Sequence, residues 1–382
     1  MGVGTSTRAR LRRAALPLAV LVVLLAGAEL VVRAFFPQPA FFARPGIYVA
    51  DARTGYRMRG GVDGVVGNVA EFENRFHLDA AGLRGPEVGA HRPGVLRVLV
   101  LGDSLTFGPG VDDDQTYPAL LGRELAAHGI AAEGLDAGVG GYGVPDEVAW
   151  HAAYGLPLQP DVVVLGVFTG NDLQDADPAK PPLAVEDGEL LDASDRRRSK
   201  PFHWLFQRSQ LVALAKYSLP EGVDRRLRRL LDLPEPGAVR ALRGEMATYA
   251  RTPDAATLAG ARASEAAIRR LVALDREHGI ATVALLLPSY LQADRRAWDD
   301  AVRALALDPR AYDAAVPGRL FAAALARAGV PTLDLGPPFA QGVARGERLF
   351  YPHDHHYTAA GHRLIAHELA AFLPARLHGA TA

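Results

Sequence analysis

A serine and a histidine in distant parts of the chain have the surroundings that nucleophilic catalysis requires. Ser104 stands in a Gly-Asp-Ser-Leu turn directly after an apolar run at 95–101. His356 stands two residues after Asp354 and just before a stretch typical of a helix start. A serine hydroxyl becomes a good nucleophile when a histidine removes its proton and a carboxylate orients that histidine. The pattern predicts acyl transfer through Ser104, with His356 as base and Asp354 as its orienting acid.

Acyl transfer also needs hydrogen-bond donors for the oxyanion that develops on the carbonyl. Three candidates are the backbone N–H of Ser104, the glycine-rich loop at Gly141, where backbone can approach a ligand closely, and the side chain of Asn171. Taken singly, the glycine loop is also compatible with a plain turn and Asn171 with a loop-side cap. All three follow predicted strands at the same edge of one sheet, which favours an oxyanion hole.

The histidine-rich stretch at 353–356 leaves a metal site as an alternative, because imidazoles and carboxylates are common zinc ligands. Adjacent residues point in divergent directions, however, and no distal ligand motif is evident. We therefore expect neither a metal nor an organic cofactor. We expect the remaining histidines of this region to be surface or packing residues: His353, His355 and His362.

The elements that must position these residues follow a regular pattern from position 95 onward. Short apolar runs alternate with longer helical patterns, which is typical of a mostly parallel sheet covered by helices. In such sheets the chemistry lies at the carboxyl edge, where Ser104 would stand. Strands are predicted at 95–101, 131–137, 161–168, 281–287 and 331–335, and helices at about 116–128, 145–154, 256–278, 312–328 and 358–373.

The rest of the chain divides by composition. Residues 1–37 form an apolar leader, 38–93 a loop-rich lead-in with short candidate strands, and 94–378 the catalytic domain. A charged, proline-rich insertion at about 173–255 interrupts that domain. It holds one clear helix candidate, around 202–217, whose apolar stripe we expect to pack on the core. Covering the site or contacting a membrane are the alternatives for this stripe, which comprises Trp204, Leu205, Leu211, Val212 and Leu214.

The apolar leader at 1–37 indicates on which side of a membrane the rest of the chain lies. Four arginines between positions 8 and 13 precede an uncharged stretch at 14–28, a pattern that places the amino terminus in the cytoplasm and the body outside. Apolar character resumes after Glu29 and continues to Phe36, which favours an uncleaved membrane anchor. The alternative is a signal peptide cleaved after Ala28, which would release a secreted protein.

Composition narrows the function further. The chain has 382 residues, of which 49% are hydrophobic, enough for a substantial core. A net charge of −1 gives no reason to expect a nucleic-acid partner. The absence of cysteine excludes disulfides, thiolate catalysis and cysteine-ligated metals.

The order of the candidate blocks resembles that of the SGNH or GDSL hydrolase superfamily. Its four blocks correspond here to 102–105, Gly141, 170–172 and the pair Asp354 and His356. The segments at 79–85 and 356–362 are similar to those of exported or membrane-anchored bacterial members. The resemblance implies a flavodoxin-like three-layer α/β/α sandwich with a central parallel sheet.

The resemblance also implies roles for the site residues. Ser104 would be the nucleophile, His356 the base and Asp354 the acid, with the Ser104 N–H, the Gly141 N–H and the Asn171 side chain as oxyanion hole. In most members the aspartate stands three residues before the histidine, whereas here it stands two before. Shorter spacing occurs in relatives such as the alginate O-acetylation proteins. If Asp354 paired elsewhere, a serine–histidine dyad would remain.

We therefore expect an extracytoplasmic, membrane-tethered serine esterase that removes an acyl group, such as acetyl, from a carbohydrate or lipid. One alternative is an O-acyltransferase acting on an exported polysaccharide, because water and a sugar hydroxyl can attack the same acyl-enzyme. Another is a catalytically silent glycan-binding module, against which the intact Ser104, Asn171 and His356 argue.

Overall fold

The structure is a computed structural model that describes residues 4–35, 41–68, 71–191, 209–212, 214 and 237–377. The chain divides into two compact units. The first comprises residues 1–40 and 198–238, and the second comprises 41–197 and 239–382.

The strands all belong to the second unit and are numbered in chain order. They are β1 (Phe41–Arg44), β2 (Tyr48–Asp51), β3 (Gly55–Met58), β4 (Val62–Asn68), β5 (Phe72–Leu78), β6 (Leu96–Gly102), β7 (Ala132–Gly138), β8 (Val162–Phe168), β9 (Ala184–Glu186), β10 (Glu189–Leu191), β11 (Ala281–Leu287) and β12 (Thr332–Asp334).

The α-helices are numbered in the same way, and short 3-10 and π-helical turns lie between them. The α-helices are α1 (Gly4–Phe35), α2 (Ser104–Phe107), α3 (Tyr117–Ala126), α4 (Val144–Trp150), α5 (Asp172–Asp175), α6 (Gly237–Thr248), α7 (Ala255–Glu277), α8 (Tyr290–Ala293), α9 (Arg295–Ala304), α10 (Val316–Ala328), α11 (Gly336–Ala344), α12 (Ala359–Phe372) and α13 (Pro374–Leu377).

A five-stranded parallel sheet forms the centre of the second unit, in the order β12-β11-β8-β6-β7. By position in the chain this is the order 2-1-3-4-5 read from β7, which is that of flavodoxin-like folds. Alternate residues of β6 enter two separate cores. One core holds residues of α3, α11 and α12, and the other holds residues of α4, α7 and α10. The predicted three-layer α/β/α fold is confirmed.

The largest differences from the predicted elements lie at helix ends. The helix predicted at 312–328 begins only at Val316, because Asp313 forms a turn that accepts the N–H of Ala315 at 3.1 Å. The helix predicted at 145–154 changes to a π-helical turn after Trp150. The predicted strands differ from the observed ones by no more than one residue at each end.

The lead-in before β6 is more regular than the expected loop-rich segment. Strands β1, β4 and β5 form an antiparallel sheet, and β2 and β3 form a hairpin. Backbone bridges then join Leu78 to Arg84 and Arg84 to Asp136 on β7. The lead-in is thereby connected through Arg84 to the edge strand of the central sheet.

The side chain of Arg84 is completely buried beneath the turn that follows α2. Its Nε donates to Asp113 at 2.7 Å, and its Nη atoms donate to the carbonyls of Gly108 at 2.7 Å and Val111 at 2.6 Å. It also donates to the carbonyl of Phe107 and covers the ring of that residue. A guanidinium has five N–H donors in a fixed geometry, so the Arg84 side chain alone donates to all of these buried acceptors of the turn.

Replacing Arg84 with methionine should lower the free energy of unfolding by about 3 kcal/mol, because buried carbonyls and the carboxylate of Asp113 would lose their donor. Urea denaturation of both proteins measures the change. Arg75→Met, on the exposed side of β5, is the matched control and should differ little from the parent. Equal denaturation midpoints for the parent and Arg84→Met would contradict the role assigned to this side chain.

In the first unit, α1 contains an exposed apolar stretch, Ala15–Phe35, of 21 residues with a mean hydropathy of 2.5. Its length and composition suffice to cross a membrane, and signal sequences have the same properties. Glu29 pairs with Arg33 one turn later. Its carboxylate also accepts the N–H groups of Gln210 and Leu211, both at 2.9 Å. The Glu29 carboxylate thus caps the amino-terminal end of a helical turn that begins at Gln210.

That turn belongs to the helix predicted at about 202–217. Only 209–212 and 214 of it lie within the described residues, and 210–212 and 214 are helical. Leu211, Val212 and Leu214 of the predicted apolar stripe are half-buried. Trp204 and Leu205 lie outside the described residues.

Candidate active site

The nucleophile turn, which carries the predicted nucleophile Ser104, is formed where β6 ends. Asp103 precedes α2 and accepts the N–H of Leu105 at 2.8 Å, so its carboxylate caps the short helix. Gly102 has no room for a side chain, because a Cβ there would lie 1.9 Å from Oγ1 of Thr106. Ser104 is therefore the first residue of α2, at the carboxyl edge of the sheet.

The structure brings Ser104, His356 and Asp354 together although they come from opposite ends of the domain. Nε2 of His356 lies 2.8 Å from Oγ of Ser104. Nδ1 of His356 is hydrogen-bonded to Oδ1 of Asp354. The aspartate and histidine side chains are only 9% and 19% exposed, so their interaction is largely shielded from water. This order of contacts is that of a nucleophile, a base and an orienting acid.

The charges around the histidine favour its protonated form. Burial by itself would lower the pKa of His356, but the hydrogen bond and charge of Asp354, together with the charge of Asp103, outweigh it and raise the pKa. Burial would raise the pKa of Asp354, yet the hydrogen bonds from His356 and Asn68 and the charge of His356 lower it. Asp354 is therefore ionised when His356 takes up a proton.

The oxyanion-hole candidates differ in their placement. Asn171 lines one cavity with Ser104 and His356. Its side chain does not cap α5, and its Oδ1 is buried without a hydrogen-bond partner within the part of the chain that the structure describes. Asp172, the first residue of α5, accepts the N–H of Phe168 at the end of β8 at 2.7 Å. The Asn171 side chain is thus not engaged as a helix cap, and its amide group as an oxyanion donor stays a prediction.

Gly141 has a φ of +82°, and a Cβ there would lie 2.9 Å from the hydroxyl of Tyr56, so only glycine fits. Gly141 lines a neighbouring cavity with Tyr56. The preceding residue, Gly140, comes closer to the nucleophile, since a Cβ there would lie 3.7 Å from Cβ of Ser104. The loop lies beside Ser104, and the Gly141 N–H as an oxyanion donor stays a prediction.

Two residues of the lead-in hold the loop that carries Asp354, the predicted orienting acid. The carboxylate of Glu71 accepts the N–H of His353 at 2.8 Å and that of Asp354 at 2.7 Å. Asn68 donates from Nδ2 to Oδ2 of Asp354 at 3.2 Å. His355, between the acid and the base, has a left-handed φ of +68°. No motif marks Asn68 or Glu71 in the sequence.

Replacing Glu71 with alanine should lower kcat by about 10- to 100-fold, because the loop at 353–356 loses two hydrogen bonds and the base is misplaced. The measurement is ester hydrolysis at saturating substrate, with thermal unfolding to show that the fold persists. Glu71→Gln, which keeps one acceptor oxygen, should recover part of the loss. Glu73→Ala, on the exposed side of β5, should match the parent. Full activity in Glu71→Ala would refute the positioning role.

The cavity around Ser104 has a volume of about 360 Å³. Its wall includes residues outside the motif blocks, which come from the end of β8, from α5, α6 and α8, and from the loops that contain Ser289 and His355. Among them is His355, one of the expected surface or packing residues, whose ring packs on that of Tyr290 within the cavity wall. The other wall residues outside the motifs are Phe168, Gln174, Glu245 and Ser289.

The other two histidines of this region are placed as expected. His353 is exposed, and His362 is buried and accepts the N–H of Tyr117 at 3.2 Å. Burial and the charge of Arg84 lower the pKa of His362 to about 3. Within the described ranges, no group of three or more histidine, aspartate or glutamate side chains is placed to hold a metal ion.

Solved structures of similar fold include several esterases. LAE5, an alpha/beta hydrolase enzyme from the metagenome of Lake Arreo, Spain, is 17% identical, with coverage of 74% of this chain and 97% of that one and a TM-score of 0.39. Axe2, an acetylxylan esterase from Geobacillus stearothermophilus, is 15% identical with the same coverage and TM-score. A lipase/acylhydrolase from Enterococcus faecalis is 15% identical, with the same coverage and a TM-score of 0.38.

Comparison with curated proteins found no match. The family model of the GDSL-like Lipase/Acylhydrolase family matches residues 100–314, which include the nucleophile turn, Gly141 and Asn171. This match covers more than half of the chain, and the protein therefore belongs to the GDSL-like lipase/acylhydrolase family of ester-hydrolysing enzymes.

Proposed function

We propose that this protein is a serine esterase that works through an acyl-enzyme on Ser104. The observation that carries the proposal is the 2.8 Å contact between Oγ of Ser104 and Nε2 of His356, with the other ring nitrogen bonded to Asp354. A serine hydroxyl has little nucleophilicity without such a base.

In the first half of the reaction, Oγ of Ser104 attacks the ester carbonyl carbon while Nε2 of His356 takes the hydroxyl proton. The imidazolium is stabilised by ionised Asp354. It then gives its proton to the leaving alcohol as the ester bond breaks and the acyl-enzyme remains. In the second half, Nε2 of His356 removes a proton from water as the water oxygen attacks the acyl carbon. The bond between that carbon and Oγ of Ser104 then breaks, His356 returns the proton to Oγ, and the acid is released. The proposed oxyanion donors are the Ser104 N–H, the Gly141 N–H and the Asn171 amide.

The cavity supports a small acyl group. Its volume of about 360 Å³ is close to the lower end of ligand pockets, which extend from about 300 to 1,000 Å³. An acetyl group and part of an alcohol fit such a space, whereas a long fatty chain does not. The alcohol is that of a carbohydrate or a lipid. We further propose that α1 anchors or exports the enzyme, so that it works outside the cytoplasm.

Hydrolysis of p-nitrophenyl acetate between about pH 5 and pH 9, with phosphonate labelling of the nucleophile, tests the proposal. The base must be neutral to accept the serine proton. Because the pKa of His356 is raised, kcat/KM should increase with pH through a midpoint above the ordinary histidine value. The label should lie on the peptide that contains Ser104. A label elsewhere, or a rate independent of pH, would overturn the proposal.

A further inference from the structure

Glu245 lies outside every motif block, yet α6 brings it to the wall of the cavity that contains Ser104 and His356. Its Oε1 accepts a hydrogen bond from the hydroxyl of Tyr249 at 3.2 Å. That hydroxyl also contacts Oγ of Ser289 at 2.7 Å, and Tyr249 is completely buried. The buried Tyr249 and its partner Ser289 therefore hold the carboxyl group of Glu245 in place.

The wall that carries Glu245 is also fixed relative to the oxyanion-hole candidate Asn171. Nε2 of Gln174, on α5, donates to the backbone carbonyl of Gly244 at 2.5 Å. Helix α5 begins directly after Asn171. The hydrogen bond from Gln174 to Gly244 and the short helix α5 together fix where Glu245 lies relative to Asn171. A ligand bound at Ser104 would therefore meet the Glu245 carboxyl at a defined position.

The surroundings of this carboxyl are unusual because, among the described residues, it has no cationic partner in an ion pair. Within the described residues, no arginine, lysine or histidine forms an ion pair with Glu245. Burial raises its pKa to about 7. Covering the remaining carboxyl oxygen with an apolar group that offers no hydrogen bond is unfavourable. Contact between Glu245 and a hydrocarbon chain of the ligand is therefore unfavourable, whereas contact with a group that carries hydroxyls is favourable.

An aromatic wall accompanies the carboxyl in the same cavity. The rings of Tyr290 and His355 stack with centroids 3.5 Å apart and planes inclined by 16°. Burial, together with the charges of His356 and His353, lowers the pKa of His355 to about 4, so its ring is neutral at physiological pH. The C–H groups of a saturated ring pack well on flat neutral rings, and a carboxyl group accepts hydrogen bonds from the hydroxyls of such a ring. Together they match the two kinds of surface that a pyranose presents.

We propose that Glu245, with Tyr290 and His355, forms the subsite for the alcohol side of the substrate and selects a hydroxyl-rich sugar over a hydrocarbon. This inference rests on the proposed esterase function. It assigns the specificity to a helix at the end of the insertion rather than to the motif blocks.

Two acetate esters of primary alcohols test the subsite, because they share the acyl group and differ only in the alcohol: methyl 6-O-acetyl-glucopyranoside and hexyl acetate. In Glu245→Leu, kcat/KM for the sugar ester should fall by about tenfold or more, while that for hexyl acetate stays equal or increases. Glu245→Gln, which keeps the size of the side chain, should show a smaller loss in the same direction. Glu277→Leu, at the exposed end of α7, is the matched control.

The outcomes separate this inference from the function on which it rests. If the parent enzyme hydrolyses neither ester in a Ser104-dependent manner, the proposed esterase function fails. If Ser104-dependent hydrolysis is present, but both Glu245 variants reduce the two esters equally or leave both unchanged, the subsite is refuted and the esterase function stands. If Glu245→Leu does not fold, the Glu245→Gln ratio of the two kcat/KM values decides.

Discussion

Alanine at position 104 should lower kcat for ester hydrolysis by about 10,000- to 1,000,000-fold. The reaction needs Oγ of Ser104 to form the acyl-enzyme, and water cannot occupy its place with the same alignment to His356. Any residual rate would come from the oxyanion donors and substrate binding, which still act on direct attack by water. The substitution removes a single oxygen from a partly buried position, so the fold should persist.

The measurement is steady-state hydrolysis of p-nitrophenyl acetate, with thermal unfolding as a check on the fold. Ser264→Ala is the matched control, because this serine is also buried and its hydroxyl has no hydrogen-bond partner within the described residues. That variant should keep the activity of the parent. Substantial turnover by Ser104→Ala would mean that another group is the nucleophile.

Asparagine at position 354 should lower kcat by about 10,000-fold, although it differs from aspartate by little in size. The reason is the hydrogen-bond polarity around the side chain. Asn68 donates to Oδ2 of Asp354, so the oxygen of a new amide would face Asn68 and its NH2 would face Nδ1 of His356. The histidine would then carry its proton on Nε2. A nitrogen that already bears a proton cannot accept one from Ser104.

The contact with Asn68 also provides a rescue experiment. If Asn68 is changed to aspartate in the Asp354→Asn background, the new carboxylate accepts the amide NH2 and turns its oxygen toward His356. About tenfold of the lost kcat should return, because the correct tautomer is favoured again. If Asp354→Asn keeps nearly full activity, Ser104 and His356 work as a dyad without the aspartate.

Much of the fold was predictable because the central strands are short, continuous apolar runs that are easily recognised in the sequence. The apolar runs at 95–101 and 161–168 are buried on both faces of the sheet, and no other element suits them. Ser104, Asn171 and His356 were found for a related reason, since each follows a strand or precedes a helix within a short motif. Helices α3, α7 and α12 likewise begin after a residue whose side chain caps them: Thr116, Asp254 and Thr358.

The supports of the site were not predictable from the sequence. Glu71 and Asn68 belong to short strands and their turn, where no local pattern indicates which distant loop they contact. Glu245 lies on a helix inside a charged segment, where its spacing does not distinguish a cavity wall from a solvated face. These roles depend on contacts between residues far apart in the chain, and periodicity is a local property.

The contact between Glu71 and Asp354 spans 283 positions of the chain and has a consequence for biosynthesis. Glu71 leaves the ribosome before its partner loop, because 283 positions separate them. Contacts of such long range form late in folding, since most of the chain must be ordered before they close. The enzyme should therefore stay inert throughout synthesis and any transport as an unfolded chain. Its activity begins only when the loop that carries Asp354 reaches Glu71.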